Sequence, residues 1–259
     1  MLVDSHCHLD RLDPAKAGGS LDVILDRARA RGVSRFLCIG IDLDSSRDLL
    51  MLPEKYPDVL VSVGAHPLQE NSQPLPGVDE LVTLAKHPGV VAIGETGLDN
   101  HYSPDSAEWQ RESFVRHLQA AGLARKPVIV HTREAREQTL DLIRAHGDAN
   151  YGGVLHCFTE NWEMARAALD LNFYISFSGI VTFKSAEDLR SVVRKVPLDR
   201  LLVETDCPWL APVPHRGRQN EPQYVVEVAR QVADLKGITY EELARITTTN
   251  FQRLFLNGP

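Results

Sequence analysis

Short runs of apolar, often β-branched residues alternate along the chain with longer stretches whose apolar positions recur at helical spacing. The short runs predict strands at residues 2–4, 35–39, 60–63, 90–94, 128–130, 154–156, 173–176 and 201–204. The longer stretches predict helices at residues 21–31, 78–86, 107–124, 134–145, 162–171, 187–195, 223–236 and 240–255, with a weaker one at 45–52. Thr239 and Glu242 give the last helix a capping box, which supports this assignment.

Eight strands that alternate with helices in 259 residues predict the α/β class and a single (β/α)8 barrel of parallel strands, a TIM barrel. No linker or low-complexity segment divides the chain, so residues 1–259 are expected to form one domain. The alternative is an open, doubly wound sheet, which typically carries a Gly-rich phosphate loop after its first strand. Here the first strand leads into His6, Cys7 and His8 instead. The sequence therefore favours the barrel, whose functional groups gather at the C-terminal ends of its strands.

Histidines and acidic residues stand at or just beyond the ends of most predicted strands. His6 and His8 are two residues apart, and because strand side chains alternate, both can face the barrel opening while Cys7 points away. The same alternation is expected to turn Cys157 and Cys207 away from the site, as packing residues and not as ligands. The strand-end residues are His6, His8, His66, Glu95, His131, His156, Glu204 and Asp206.

This set of imidazoles and carboxylates predicts a metal site at the C-terminal rim of the barrel. It exceeds the about three protein ligands of a catalytic zinc and suits two divalent ions. Glu95 is the candidate for a bridging carboxylate, and Asp206 can bind a metal and accept a proton from the attacking water. His66 either binds a metal or orients the scissile phosphate. Glu204 either points to the opposite side or holds a ligand histidine from behind.

Arginines and aromatic residues near the same strand ends are candidates for contact with a substrate. Arg133 and Arg216 are predicted to bind phosphate, because guanidinium groups match phosphate oxygens, whereas Arg218 equally suits a solvated charge. Tyr102 could stack an unpaired base. Trp209 could do the same, although we expect it to pack in the core under the last loop.

Composition restricts the partners and the location. The formal net charge of −7 argues against a protein that wraps long duplex DNA, so a nucleic acid would be held at an end or through bound cations. The four cysteines form no CxxC pair, which indicates reduced thiols. The N-terminus becomes polar too early for a signal peptide, and no apolar run approaches the ~18 residues of a membrane helix. We expect a cytoplasmic monomer with no membrane contact.

Several segments resemble, in order, those of the TatD family of metal-dependent deoxyribonucleases, within the amidohydrolase-like barrel superfamily. The matching segments are 3–10 (VDSHCHLD), 64–67 (GAHP), 94–99 (GETGLD), 131–135 (HTREA), 156–158 (HCF), 202–212 (LVETDCPWLAP), 214–217 (PHRG) and 220–222 (NEP). The resemblance implies two divalent ions, Mg²⁺, Mn²⁺ or Zn²⁺, with Glu95 shared between them. The implied ligands are His6, His8, Glu95, His131, His156 and Asp206.

The resemblance also implies hydrolysis of DNA phosphodiester bonds, as a 3′-to-5′ exonuclease on single-stranded ends, in DNA degradation or repair. Two departures from the family pattern lie on rim loops. Asn100 and His101 stand where aromatic residues are frequent, and Glu160 stands where glycine is usual. Neither departure replaces a ligand, so both bear on substrate preference rather than on chemistry.

Two other functions are compatible with the barrel. An amidohydrolase of the same type would cleave an amide, a lactone or an ester, including the ester bond of a charged tRNA. Many such enzymes bridge their metals with a carbamylated lysine on the fourth strand, where this chain has Glu95. A non-catalytic binding module would have no need of a histidine-rich opening. The sequence therefore favours a metal-dependent nuclease.

Overall fold

The fold is a nearly closed barrel of parallel strands, as predicted. The computed structural model describes residues 1–69 and 74–256, and within them each strand pairs in parallel with the next one along the chain. The two ends of the sheet meet where Ser5 Oγ donates to Val203 O at 2.9 Å and Asp206 N donates to His6 O at 2.9 Å. The strands are β1 (Leu2–Cys7), β2 (Val33–Cys38), β3 (Val59–Val63), β4 (Val90–Asp99), β5 (Val128–Arg133), β6 (Gly153–Leu155), β7 (Phe173–Phe177) and β8 (Leu201–Val203).

Helices pack around this barrel, and most begin and end close to the predicted positions. They are α1 (Pro14–Ala17), α2 (Leu21–Ala30), α3 (Leu43–Leu49), α4 (Met51–Lys55), α5 (Val78–Leu84), α6 (Ala107–Ala124), α7 (Arg136–His146), α8 (Trp162–Asp170), α9 (Glu187–Lys195), α10 (Val225–Lys236) and α11 (Tyr240–Phe255). The prediction of one helix at 45–52 is wrong, because α3 and α4 divide that segment. The Asp42 carboxylate accepts from Ser45 N at 2.7 Å and starts α3 early. Pro53 lies in the first turn of α4, where its missing N–H is tolerated.

Apolar side chains fill two layers, one inside the barrel and one between the barrel and the helices. Val3, Ile39 and Ile129 belong to the inner layer, because alternate strand residues point into the barrel. Phe251 and Phe255 of α11 join the same layer. This helix therefore covers the N-terminal end of the barrel, here called the base, and the C-terminal end remains open for functional groups.

Strand β4 is longer than predicted and carries acidic residues within it. The predicted strand ended at residue 94, but residues 96–99 continue to pair with residues 130–133 of β5. Gly97 has φ 138°, and a Cβ at this position would lie 1.9 Å from His131 O. Only glycine therefore allows β4 and β5 to approach so closely here. The extended strand places Glu95 and Asp99 on one side of the same strand, four residues apart.

His117 of α6 fixes the loop that follows β3. This buried imidazole accepts a hydrogen bond from Ala65 N at Nε2, at 2.9 Å, and donates from Nδ1 to Ser113 O at 2.7 Å. The ring is therefore neutral in the folded protein, and burial lowers its pKa to about 4. His117 is therefore a structural histidine that holds the backbone next to His66.

We predict that His117→Gln makes stability less dependent on pH. The unfolded chain binds a proton at this histidine near pH 6.5, whereas the folded protein binds it only near pH 4, so wild-type stability falls as the pH decreases through this window. Full protonation of His117 lowers the free energy of unfolding of the wild-type protein by about 3 kcal/mol. Glutamine does not titrate, so the variant has no such loss. Urea unfolding at a series of pH values measures the difference. His146→Gln, at an exposed histidine, is the control, and parallel pH profiles for His117→Gln and wild type would contradict this role.

Candidate metal centre

The predicted metal ligands converge at the C-terminal end of the barrel, here called the mouth. The carboxylate of Glu95 lies at their centre, with Oε2 3.4 Å from His6 Nε2 and 3.9 Å from His8 Nε2. Asp206 Oδ1 completes this side, 3.4 Å from His8 Nε2 and 3.7 Å from His6 Nε2. Two imidazoles and two carboxylates therefore face one small volume.

The other oxygen of Glu95 faces a second set of imidazoles. Its Oε1 lies 2.7 Å from His156 Nε2, 3.5 Å from His131 Nδ1 and 3.3 Å from His66 Nε2. The two oxygens of one carboxylate thus address two different groups of nitrogen atoms. This arrangement is typical of a carboxylate shared by neighbouring metal ions.

The donor atoms fit divalent metal ions. Among the described residues, three groups bring their ligand atoms within 4.8 Å of one another: His6, His156 and Asp206; His6, His8 and Glu95; and His66, Glu95 and His131. Imidazole nitrogen and carboxylate oxygen together suit Zn²⁺, Mn²⁺ and similar ions. Because Glu95 and His6 each occur in two of the groups, the site is one connected cluster.

Hydrogen bonds on the far side of two histidines select the nitrogen that faces the cluster. His131 Nε2 donates to Asp99 Oδ2 at 3.0 Å, and His156 Nδ1 donates to Glu204 Oε1 at 3.3 Å. In each ring, the opposite nitrogen points towards Glu95 and is the one that can bind a metal. Glu204 also accepts from Cys157 N at 2.7 Å. Of the two alternatives for Glu204, the structure therefore has it holding a histidine from behind.

His66 has the opposite arrangement. Its Nδ1 accepts a hydrogen bond from Leu68 N at 3.1 Å, and burial lowers the pKa of the ring, which is therefore neutral. The single ring hydrogen is then on Nε2, the nitrogen that faces Glu95. The His66 side chain is consequently arranged to donate a hydrogen bond into the mouth rather than to offer a lone pair to a metal.

Asp99 holds His131 from behind and was not among the residues predicted for the site. Burial opposes ionisation of its carboxyl group, but the hydrogen bond from His131 and the backbone N–H of Tyr102 outweigh burial and lower its pKa to about 2. The spacing in the sequence could have indicated this position, because residues four apart on a strand share a face and Asp99 follows Glu95 by four residues.

The charge of Glu95 is stabilised by its neighbours. Burial alone would raise its pKa, but the charge of His156, with hydrogen bonds from His131 and His156, holds it well below the usual range. Asp206 behaves similarly, since burial raises its pKa and the hydrogen bond with His8 outweighs burial. Both carboxylates are therefore ionised and able to act as ligands.

Asp4 lies beneath the site and anchors the segment that carries Asp206. Its buried carboxyl group accepts from Thr205 N at 2.8 Å and from Thr205 Oγ1 at 2.6 Å. Asn220 Nδ2 donates to Thr205 O at 2.8 Å from the other side. Asp206 itself has φ 56°, in the left-handed region, and these bonds to its neighbour hold that turn in place.

A cavity of about 440 Å³ opens from the metal ligands to the surface of the mouth. Tyr102 is 64% exposed at its edge, and the Arg133 guanidinium lies 5.1 Å from the Tyr102 ring. Trp209 is 49% exposed and its ring lies 5.1 Å from that of His8. The prediction that Trp209 packs in the core is wrong, because Asn220 Nδ2 holds Trp209 O at 2.6 Å and the ring turns towards the mouth.

One cysteine also differs from the prediction. Cys7 and Cys207 pack in the layer between barrel and helices, as expected. Cys157 lines the mouth cavity instead, because its φ of 41° breaks the alternation of strand side chains, and its Sγ lies 3.1 Å from Ser178 Oγ. Among the described residues it joins none of the groups that could hold a metal.

Of the two arginines proposed as phosphate contacts, the structure brings only Arg133 to the cavity. The Arg216 guanidinium lies 3.8 Å from the Phe183 ring and donates from Nη1 to Ala211 O at 3.2 Å. Arg218 is exposed on the same loop. Arg133 is therefore the one arginine among the described residues that line this cavity.

Comparison with known proteins agrees with this geometry. A model of the family described as TatD related DNase matches residues 3–256. The chain belongs to the TatD related DNase family. The uncharacterized metal-dependent hydrolase YcfH of Escherichia coli (strain K12) is 52% identical over 254 residues, 98% of this chain and 95% of the relative. This TatD-family protein is accordingly a metal-dependent hydrolase.

Two further relatives extend the comparison. The 3'-5' ssDNA/RNA exonuclease TatD of Salmonella typhimurium (strain LT2) is 33% identical over 239 residues, 90% of this chain and 92% of the relative. The crystal structure of YJJV, a TatD homologue from Escherichia coli K12, has a TM-score of 0.91 at 27% identity and covers 100% of this chain and 98% of its own. No helix among residues 1–69 and 74–256 is long and apolar enough to cross a membrane.

The residues that the sequence predicted to depart from the family pattern meet at one residue, Glu134. Asn100 Nδ2 donates to Glu134 O at 2.9 Å, and His101 Nδ1 lies 2.8 Å from Glu134 Oε1. Glu160 accepts from Glu134 N at 3.2 Å and forms an ion pair with Arg136. Three rim loops are thus tied together beside Arg133, so the departures change the edge of the mouth and leave the metal ligands untouched.

We predict that Glu204→Gln weakens metal binding by about 10- to 100-fold, as is typical when the partner of a ligand histidine is altered. Glutamine keeps the shape but loses the charge that orients His156 through Nδ1. Competition with a chelating dye measures the affinity. Glu241→Gln, at an exposed acid on α11, is the matched control, and an equal affinity in Glu204→Gln and wild type would contradict this role.

Proposed function

We propose that this protein is a two-metal hydrolase that removes nucleotides from the 3′ end of single-stranded DNA. It would act as a monomer with residues 1–259 as one domain. The observation that carries the proposal is the position of Glu95, whose two oxygens face separate groups of imidazoles. A single catalytic ion would need about three protein ligands, and the mouth offers twice that number. The 33% identical Salmonella relative, named a 3'-5' ssDNA/RNA exonuclease, supports the substrate class and the direction.

Each ion has its own proposed ligands in the mouth. His6, His8, Asp206 and Glu95 would hold one ion, and His131, His156 and Glu95 would hold the other. When bound, two divalent ions, Mg²⁺, Mn²⁺ or Zn²⁺, would neutralise the phosphodiester, activate a water molecule and stabilise the leaving oxygen. Glu204 and Asp99 would keep the ligand rings in place from behind.

The remaining polar residues of the mouth position the reacting groups. Asp206 is ionised and faces the cavity, so we assign it as the acceptor of the proton from the attacking water. His66, with its hydrogen on Nε2, donates to an oxygen of the scissile phosphate and orients it. Both residues lie within the same cluster as Glu95, which matches the short reach that proton transfer requires.

Recognition of a single strand rests on the edge of the cavity. The Arg133 guanidinium can bind a phosphate oxygen, and the exposed rings of Tyr102 and Trp209 can stack unpaired bases. Bound divalent cations would add the positive charge that a chain with a net charge of −7 otherwise lacks. A duplex would hide its base faces from these rings, so single-stranded ends suit the site better.

The first test is hydrolysis of single-stranded oligonucleotides labelled at the 3′ or the 5′ end, with Mg²⁺, Mn²⁺ or Zn²⁺ restored after chelation. We expect metal-dependent shortening from the 3′ end. Glu95→Ala should reduce the rate about a thousandfold or more, because the shared ligand contributes several kcal/mol of transition-state stabilisation. Circular dichroism of the variant checks that it folds. If wild-type protein loaded with metal cleaves no oligonucleotide, the nuclease proposal fails and an ester or amide substrate, such as aminoacyl-tRNA, replaces it.

A second prediction separates the two arginines. Arg133→Ala should raise KM for a single-stranded oligonucleotide by about 10- to 100-fold, since it removes a charge-assisted hydrogen bond to phosphate. Arg216→Ala removes the same charge from a residue stacked on Phe183, outside the cavity lining, and should change KM by less than about threefold. Steady-state kinetics measure both. A larger effect at Arg216 than at Arg133 would reverse the assignment of the phosphate contact.

A further inference from the structure

The base of the barrel contains a cavity of about 460 Å³, at the end opposite to the metal centre. Val91 at the start of β4, Pro127 just before β5 and Tyr174 in β7 line it, together with Leu254 near the end of α11. These residues lie at the N-terminal ends of their strands, so the cavity does not communicate with the mouth through the packed barrel interior.

Four basic side chains line this cavity: Arg125, Lys126, Arg200 and Arg253. No aspartate or glutamate is among the described lining residues. Within residues 1–69 and 74–256, none of the four basic groups has a carboxylate at ion-pair distance, although many other arginines of the chain do. Like charges repel when they share a partly desolvated cavity, so this cluster lacks the counter-charge that would stabilise it.

Two of the basic residues are held in fixed positions. Arg200 Nη1 donates to Asn172 Oδ1 at 2.7 Å, and its guanidinium lies 5.0 Å from the ring of Tyr174. Lys126 Nζ donates to Val90 O at 2.6 Å, and burial lowers its pKa. Each of these groups still has hydrogens free, because guanidinium has five N–H donors and ammonium has three. They form the floor of a site that is already organised for an anion.

The other two basic residues stand at the opening. Arg125 follows α6 and Arg253 lies on α11, and both are exposed. Their side chains can therefore move onto a ligand as it enters. Guanidinium groups bind phosphate oxygens in pairs of parallel hydrogen bonds, which favours a phosphate over a simple carboxylate.

The size and the rest of the lining exclude a bare inorganic ion as the best fit. The volume lies in the range of about 300 to 1,000 Å³ that is typical of sites for small organic ligands. Leu254, Leu256 and Val91 give the cavity apolar walls, and Tyr151 offers a half-buried aromatic ring. A ligand with both a phosphate group and a flat ring would satisfy the cations and the apolar wall at once.

We propose that this cavity is a second binding site, for a phosphate monoester with a planar aromatic body, and that nucleoside monophosphates are the class it takes. The site binds and does not catalyse, because among its described lining residues no histidine or carboxylate stands beside the cations. The proposal concerns the base alone and is independent of the reaction assigned to the mouth.

The test is binding of AMP to the full-length, metal-loaded protein by isothermal titration calorimetry, with inorganic phosphate and adenosine as partial ligands. In the double variant Arg125→Glu and Arg253→Glu, we expect the AMP affinity of the site at the base to fall about 100-fold, since two charge-assisted contacts are lost. Arg245→Glu makes the same charge reversal at an exposed residue of α11 outside the cavity and should leave affinity within about twofold. Binding at the mouth is common to all these proteins and does not affect the comparison.

Three results would overturn the proposal. They are an unchanged AMP affinity in the double variant, an equal loss in Arg245→Glu, or inorganic phosphate binding as tightly as AMP. The exposed single variants Arg125→Glu and Arg253→Glu give the same test, with about a tenfold loss expected for each, should the double variant fail to fold. Oligonucleotide hydrolysis should keep its wild-type rate in both single variants, so failure of this proposal is distinguishable from failure of the nuclease proposal.

Discussion

The buried carboxylate of Glu95 is the constraint on which the rest of the mouth depends. A negative charge in the interior is stable only when opposite charge and hydrogen bonds surround it, and imidazoles from four different strand ends do so here. Two of those rings, His131 and His156, donate from their far nitrogens to the buried acids Asp99 and Glu204. The glycine at position 97 then allows β4 to run close enough to β5 to present both Glu95 and Asp99.

The barrel separates two electrostatic environments. At the mouth, carboxylates and imidazoles create a site that suits cations, although the chain as a whole is acidic. At the base, three arginines and a lysine that have no carboxylate at ion-pair distance among the described residues line the cavity that we propose as an anion site. The packed interior lies between these ends, so the cavities at the mouth and at the base share no lining residue.

The residues predicted to depart from the TatD-family pattern lie on loops at the mouth. The predicted ligands sit at the ends of rigid strands, whereas Asn100, His101 and Glu160 sit on loops and converge on Glu134. This division follows from the barrel architecture, because strand ends fix the chemistry and the loops form the surface that a substrate meets. Changes at Asn100, His101 and Glu160 can therefore alter the substrate without disturbing the metal ligands.

Local patterns in the sequence determined the order of strands and helices, the barrel and the placement of histidines and acids at the strand ends, because alternation and helical periodicity reflect burial of each element against one core. Contacts between distant segments were decided only by the tertiary structure. The glycine-dependent approach of β4 to β5 brought Asp99 to His131, and left-handed backbone at Cys157 broke the strand alternation that the sequence had suggested. The cationic cavity likewise joins Arg125, Arg200 and Arg253, whose proximity depends on how α6, β8 and α11 pack and has no signature in any single stretch of chain.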